Sequence, residues 1–106
     1  MTSSSSGSTS DIEVASTRRA RRRGLLGRDG IEGALLLTPA RAVHTFGMRF
    51  DIDVAYLDGH GVVLEVRRMA RNRLGRPRLR ARSVLEAEAG TFGRWGLRVG
   101  DVVAVP

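Results

Sequence analysis

The sequence predicts an α+β fold: a small, strongly bent or barrel-like antiparallel or mixed β-sheet with one N-terminal helix. Three observations point there. Apolar runs of strand length recur between Gly, Pro and Asp breakers. One helix-length segment near the start follows a pair of capping residues, Ser16 and Thr17. Glycines at 90, 93, 96 and 100 fall where a curved sheet would turn its corners.

Taken in order, Ile12 to Ala15 alternates and reads as a short edge strand. The helix is expected to run from Arg18 to Leu26 and to stop at Gly27. Its apolar face is thin, and neighbouring arginines repel, so it must depend on docking for stability. Residues 28–33 form a glycine-rich loop, and Ala34 to Leu37 a buried strand broken by Thr38-Pro39. Val54 to Leu57 and Val62 to Val66 flank Asp58-Gly59-His60-Gly61 as the two arms of a hairpin. Arg67 to Arg82, interrupted by Gly75 and Pro77, is read as a long excursion with extended pieces. Ser83 to Gly90 resumes the core as a strand ending at its glycine. Thr91 to Leu97 is a helical turn or tight connection, with Trp95 as a lid on the core. Val102 to Val105 is the last strand.

A length of 106 residues suits one core, so residues 12–106 are expected to form a single domain behind a disordered Ser-rich tail at 1–11. With no cysteine, thiol catalysis and zinc-thiolate sites are excluded. No apolar run approaches the roughly 20 residues of a membrane helix, and the start has no apolar signal region. A cytoplasmic monomer is expected. The net charge is +7, and every one of the 18 basic residues is arginine, a choice that GC-rich coding would also produce.

The stretch from Val43 to Asp58 packs His44, Arg49, Asp51 and Asp53 among β-branched, aromatic and aliphatic residues. Charges entering a buried strand must be paired or hydrogen-bonded, and a polar site would be built there. On an extended backbone His44, Met48 and Phe50 share one face and Arg49 takes the other, unless Gly47 hosts a bulge.

Ala15-Ser16-Thr17 with Arg22 to Arg28 resembles the opening motif of the domain of unknown function 192 family. So do His44 to Phe50 with Ile52 to Asp58, and Val84-Leu85-Glu86 with Ala89-Gly90 and Gly100-Asp101. These motifs fall in the family's order and cover about Ile12 to Pro106. The resemblance implies a compact α+β domain with a barrel-like sheet, and it implies no settled activity. Many members look exported or lipid-linked, and no such leader is read here. The arginine run departs from the shared pattern.

The leading expectation is a non-enzymatic domain that binds a small ligand or a protein partner, with His44, Met48, Arg49, Asp53 and Glu86 as candidate ligand-binding residues. A second reading is weak, salt-sensitive contact with nucleic acid through the segment Arg67 to Arg82, with Arg71, Arg73, Arg76, Arg78 and Arg80 as candidate anion-binding residues. Aromatic stacking partners are absent from the basic runs, which argues against specific readout. If these arginines are paired internally, Glu86, Glu88 and Asp101 are the expected partners. The third reading is a hydrolase or isomerase, but Thr45 and Thr91 sit in no nucleophile-elbow sequence and no phosphate-loop spacing occurs. No catalytic residue is assigned. Neither metal nor cofactor is expected, because His44, Asp51, Asp53, His60 and Glu86 show no ligand spacing.

Overall fold

The computed structural model describes residues 12–25, 31, 33–43, 45, 48–71, 73, 75 and 77–103. The expected tail, the loop at 26–30, His44, the site of the expected bulge at Gly47, Arg76 and residues 104–106 lie outside them. The elements are β1 (Ile12–Ala15), α1 (Arg18–Arg23), β2 (Ala34–Leu37), β3 (Ile52–Leu57), β4 (Val63–Met69), β5 (Ser83–Glu88) and α2 (Thr91–Trp95). They build a mixed five-stranded sheet in the order β1-β2-β5-β3-β4. β1 and β2 run parallel, which requires a crossover, and α1 lies within it. The other neighbours are antiparallel.

α1 starts where Thr17 accepts a hydrogen bond from the Ala20 N–H at 3.0 Å. It ends earlier than expected, at Arg23, because Gly24 takes a φ of 50° and donates its N–H to Ala20 O. That turn sends Leu25 into the core, where it is buried. Six residues cannot hold a helix alone in water, so the cap and Leu25 anchor it. Thr17→Ala is expected to lower stability by about 1 kcal/mol in denaturant unfolding, the usual worth of an N-cap.

The barrel-like, strongly bent sheet is not what forms: the sheet is neither closed nor strongly curled. β1 and β4 are its two edges and do not pair with each other. No glycine lies inside a strand, so the expected glycine corners do not bend the strands themselves. Gly90, Gly96 and Gly100 do adopt positive φ, but in the connections flanking α2 and before Asp101. Both faces are also covered by apolar clusters. Leu35, Leu37, Ile52, Val54, Tyr56 and Val84 face one, with Leu25, Val43 and Met48 packed on them. Leu36, Ala55, Leu57, Leu85 and Ala87 face the other, under Phe92 of α2 and Val103.

β3 is an interior strand, between β5 and β4, and all six of its residues are buried. Its hairpin with β4 forms as expected, with a register irregularity between Tyr56 and Leu57. Asp58 closes the turn by accepting the N–H groups of His60 and Val62, and these bonds hold its carboxyl below the usual carboxylate range. β4 runs on to Met69 and takes Arg67 and Arg68 out of the expected excursion. An edge strand permits this, because long side chains there still reach water. The second helix is the short turn α2, and the half-buried Trp95 ring packs on Phe92 with centroids 5.8 Å apart. Val102 makes an isolated bridge to Val62 in place of the start of a regular last strand.

Candidate functional site

Strand alternation divides the residues proposed from sequence. Asp53 projects to the face that carries α2, whereas its neighbour Val54 and the cross-strand partner of Val54, Glu86, belong to the opposite face. Asp53 and Glu86 are therefore not brought together. Asp53 is 5% exposed, and its Oδ2 accepts the N–H groups of Gly90 at 2.9 Å and Phe92 at 3.1 Å. Its Oδ1 meets Arg68 Nε at 3.3 Å, from a guanidinium that is mostly in water. Asp53 thus fastens the start of α2 to the sheet. A shallow hollow beside it is lined by Val66, Arg67, Arg68, Phe92 and Leu97.

Glu86 lies between Leu35 of β2 and Val54 of β3 and is 4% exposed. Among the described residues, none gives it a hydrogen bond or an ion pair. Burial pushes its carboxyl up to about 7. The backbone of Gly24 passes close by, and a Cβ there would stand 3.2 Å from Glu86 Oε1. Met48 is a buried member of the same apolar cluster, and Arg49 is exposed in the bend before β3. The regular strand begins only at Ile52, so the expected face-sharing of Met48 and Phe50 has no strand to rest on.

The polar groups that do converge lie at the β3–β4 edge, beneath the segment after β4. A cleft of about 370 Å³ is lined by Tyr56, Arg67, Arg68, Met69, Ala70, Arg73, Gly75 and Arg78. Arg78 lies over the Tyr56 ring, 4.6 Å from its centroid, and grips Glu65 with two hydrogen bonds of 3.0 and 2.9 Å. Those bonds hold the Glu65 carboxyl below its ordinary range and push Arg78 up. Arg67 approaches Glu65 from the other side at 3.7 Å. Among the described residues, the Tyr56 hydroxyl is fully enclosed and has no hydrogen-bond partner. Burial raises its pKa, so it remains a phenol at neutral pH.

The wall of this cleft is tied down through Thr45. Its hydroxyl donates to Ala70 O at 2.7 Å and accepts the Arg73 N–H at 2.7 Å, while its own N–H donates to Arg73 O. Gly75 N–H donates to Val43 O at 2.8 Å. A Cβ on Gly75 would sit 3.1 Å from both the Tyr56 hydroxyl and Val43 O, so glycine leaves open the space in front of that hydroxyl.

Of the arginines proposed as an anion site, Arg73 and Arg78 line the cleft, Arg71 pairs with Asp51 at 3.6 Å, and Arg80 is exposed in a turn. The ion-pair partners found for the run are Asp51, Asp53 and Glu65 in place of Glu86, Glu88 and Asp101. Sequence reasoning left out Tyr56 and Glu65, and included Arg67 and Arg68 only as the start of the arginine segment. Period-two alternation carried a usable signal for Glu65, which faces the same side as Tyr56 across the hairpin. Among the described residues no group of three His, Asp or Glu side chains is placed to hold a metal ion, and no helix is long and apolar enough to cross a membrane.

No curated protein matches this chain. Two crystal structures share its fold with TM-scores of 0.75. One is a protein of unknown function from Novosphingobium aromaticivorans DSM 12444, 19% identical, with 89% of this chain and 74% of that one covered. The other, called a "putative transcription regulator", comes from Sinorhizobium meliloti 1021 and is 20% identical, with 86% and 78% covered. The motifs around Thr17, Asp53 and Glu86 sit in a fold shared with these structures, and the family model of DUF192, described as "Uncharacterized ACR", matches residues 1–105: the chain belongs to the DUF192 family.

Proposed function

We propose that this protein is a non-enzymatic binding domain whose site is the cleft between the β3–β4 edge and Ala70, Arg73, Gly75 and Arg78, and that its ligand is small. The observation that carries this reading is the Tyr56 hydroxyl, buried without a partner beside a cleft lined by four arginines. An unpaired buried hydroxyl costs on the order of 1–3 kcal/mol. A ligand atom that accepted its proton would recover that cost. The volume, about 370 Å³, is at the low end for small-molecule sites.

Thermal denaturation against a mixed panel of anions, amines, sugars and neutral metabolites tests it. At least one compound is expected to raise the melting temperature, since a native-state binder stabilises by mass action. The shift should disappear in Thr45→Val, which releases Arg73 and Ala70 from their tether. A panel without a single stabilising compound would sink the reading, as would a shift that Thr45→Val leaves intact.

The alternative, weak contact of the arginine segment with nucleic acid, draws on the net charge of +7 and on the name given to the Sinorhizobium meliloti protein. Pairing of Arg68, Arg71 and Arg78 with carboxylates lowers the local potential that such contact needs.

A further inference from the structure

Among the described lining of the cleft, every polar side chain carries a hydrogen-bond donor. Guanidinium groups have no acceptor; Arg67, Arg73 and Arg78 line it, and Arg68 lines it while turning its own guanidinium to Asp53 on the α2 face. The Tyr56 phenol adds an O–H that nothing described accepts. Val43 O accepts the Gly75 N–H. Two carboxylates reach these arginines, Glu65 and Asp53, which leaves a formal excess of two positive charges among the described lining. Arg73 is held in place by its backbone bonds to Thr45, with its side chain on the cleft wall.

We infer that the cleft is an oxyanion site for a doubly charged phosphate group, either free or as a small phosphomonoester; this rests on the ligand-binding reading above. Arg67 and Arg73 supply the charge, and Tyr56 donates a neutral hydrogen bond through the gap that Gly75 leaves. A phosphate fits this donor set better than a monocarboxylate, because it brings two charges and at least three acceptor oxygens. A neutral sugar or an amine would leave the excess charge uncompensated. Arg78 is already engaged by Glu65, so it shapes the floor over the Tyr56 ring more than it reaches for the anion.

The test uses the full chain in a buffer without phosphate or sulfate. Its melting temperature is measured with sodium phosphate, with glycerol phosphate and with sodium chloride at equal ionic strength. Phosphate or its ester is expected to raise the melting temperature by several degrees over chloride. The stronger of the two identifies the source as free or esterified phosphate, and either supports the inference. Tyr56→Phe should melt no lower than the parent, since it removes an unpaired hydroxyl, and should bind phosphate about tenfold more weakly. Arg73→Gln should weaken binding at least as much. Phosphate that stabilises no more than chloride, or a Tyr56→Phe protein with undiminished affinity, would overturn the inference. If a sugar or amine from the panel binds in a Thr45-dependent way while phosphate does not, the binding domain stands and the phosphate site falls. Duplex DNA that binds in a salt-sensitive way without any phosphate response would also end it, in favour of backbone contact.

Discussion

Replacing Glu86 with glutamine should flatten the pH dependence of stability between about 4.5 and 7 and leave the variant more stable than the parent above pH 7. The cause is burial. Glu86 sits between Leu35 and Val54, its native carboxyl is pushed up to about 7, and the ordinary value is 4.5. Because the native pKa is the higher one, the contribution of Glu86 is fully present below 4.5 and is lost as pH rises to 7. The unfolded chain ionises first and is favoured as it does so. A shift of that size corresponds to roughly 3 kcal/mol, an upper bound for the gain because the glutamine amide is itself buried and polar. Asp58 and Glu65 act in the opposite sense, their lowered carboxyls losing stability in acid, so the measurement must be a difference between variant and parent. Urea unfolding at several pH values from 4 to 8 provides it. Parallel curves for the two proteins would show that Glu86 titrates alike in the folded and unfolded chains.

Asp53→Ala is expected to cost roughly 3 kcal/mol, which for a chain of this size means a fall in melting temperature of more than about 10 °C. One oxygen of Asp53 accepts two backbone N–H groups at the start of α2, and Gly90 and Phe92 would lose that acceptor together. Phe92 is buried, so water does not replace it. Asp53→Asn retains one acceptor oxygen and should lose less. Arg68→Ala should cost under about 1 kcal/mol, because that guanidinium is largely solvated and its pair with Asp53 is screened. Guanidinium unfolding followed by Trp95 fluorescence reads both the stability and the attachment of α2. Equal losses for Asp53→Ala and Arg68→Ala would mean that the ion pair, not the backbone bonds, carries the role of Asp53.

Local chemistry along the chain determined most of the elements. Apolar runs ending at Pro39, Asp58 and Gly90 marked β2, β3 and β5, and Thr17 marked the start of α1, because caps and breakers act within a few residues. The same nearness explains the errors at the ends. Gly24 and Gly27 are equally able to stop a helix, and which one takes positive φ depends on where Leu25 can be buried. The arginine run read as one excursion because arginine is polar, yet an edge strand accepts arginine on either face, and Arg67 and Arg68 extend β4.

What the chain order could not decide was which faces meet. His44 to Asp58 is contiguous in sequence, and contiguity suggested one polar site, but a strand sends neighbours to opposite sides. Asp53 went to the α2 face and Glu86 to the other, separated by the sheet itself. The cleft instead unites Tyr56, Glu65, Arg73 and Arg78 from two strands and a loop, through pairings such as Tyr56 with Glu65 and Thr45 with Arg73. An open sheet buried on both faces, not a barrel, was decided at the same level: Gly90, Gly96 and Gly100 take positive φ in the connections, and the residues of α1 and α2 pack on opposite faces of the strands.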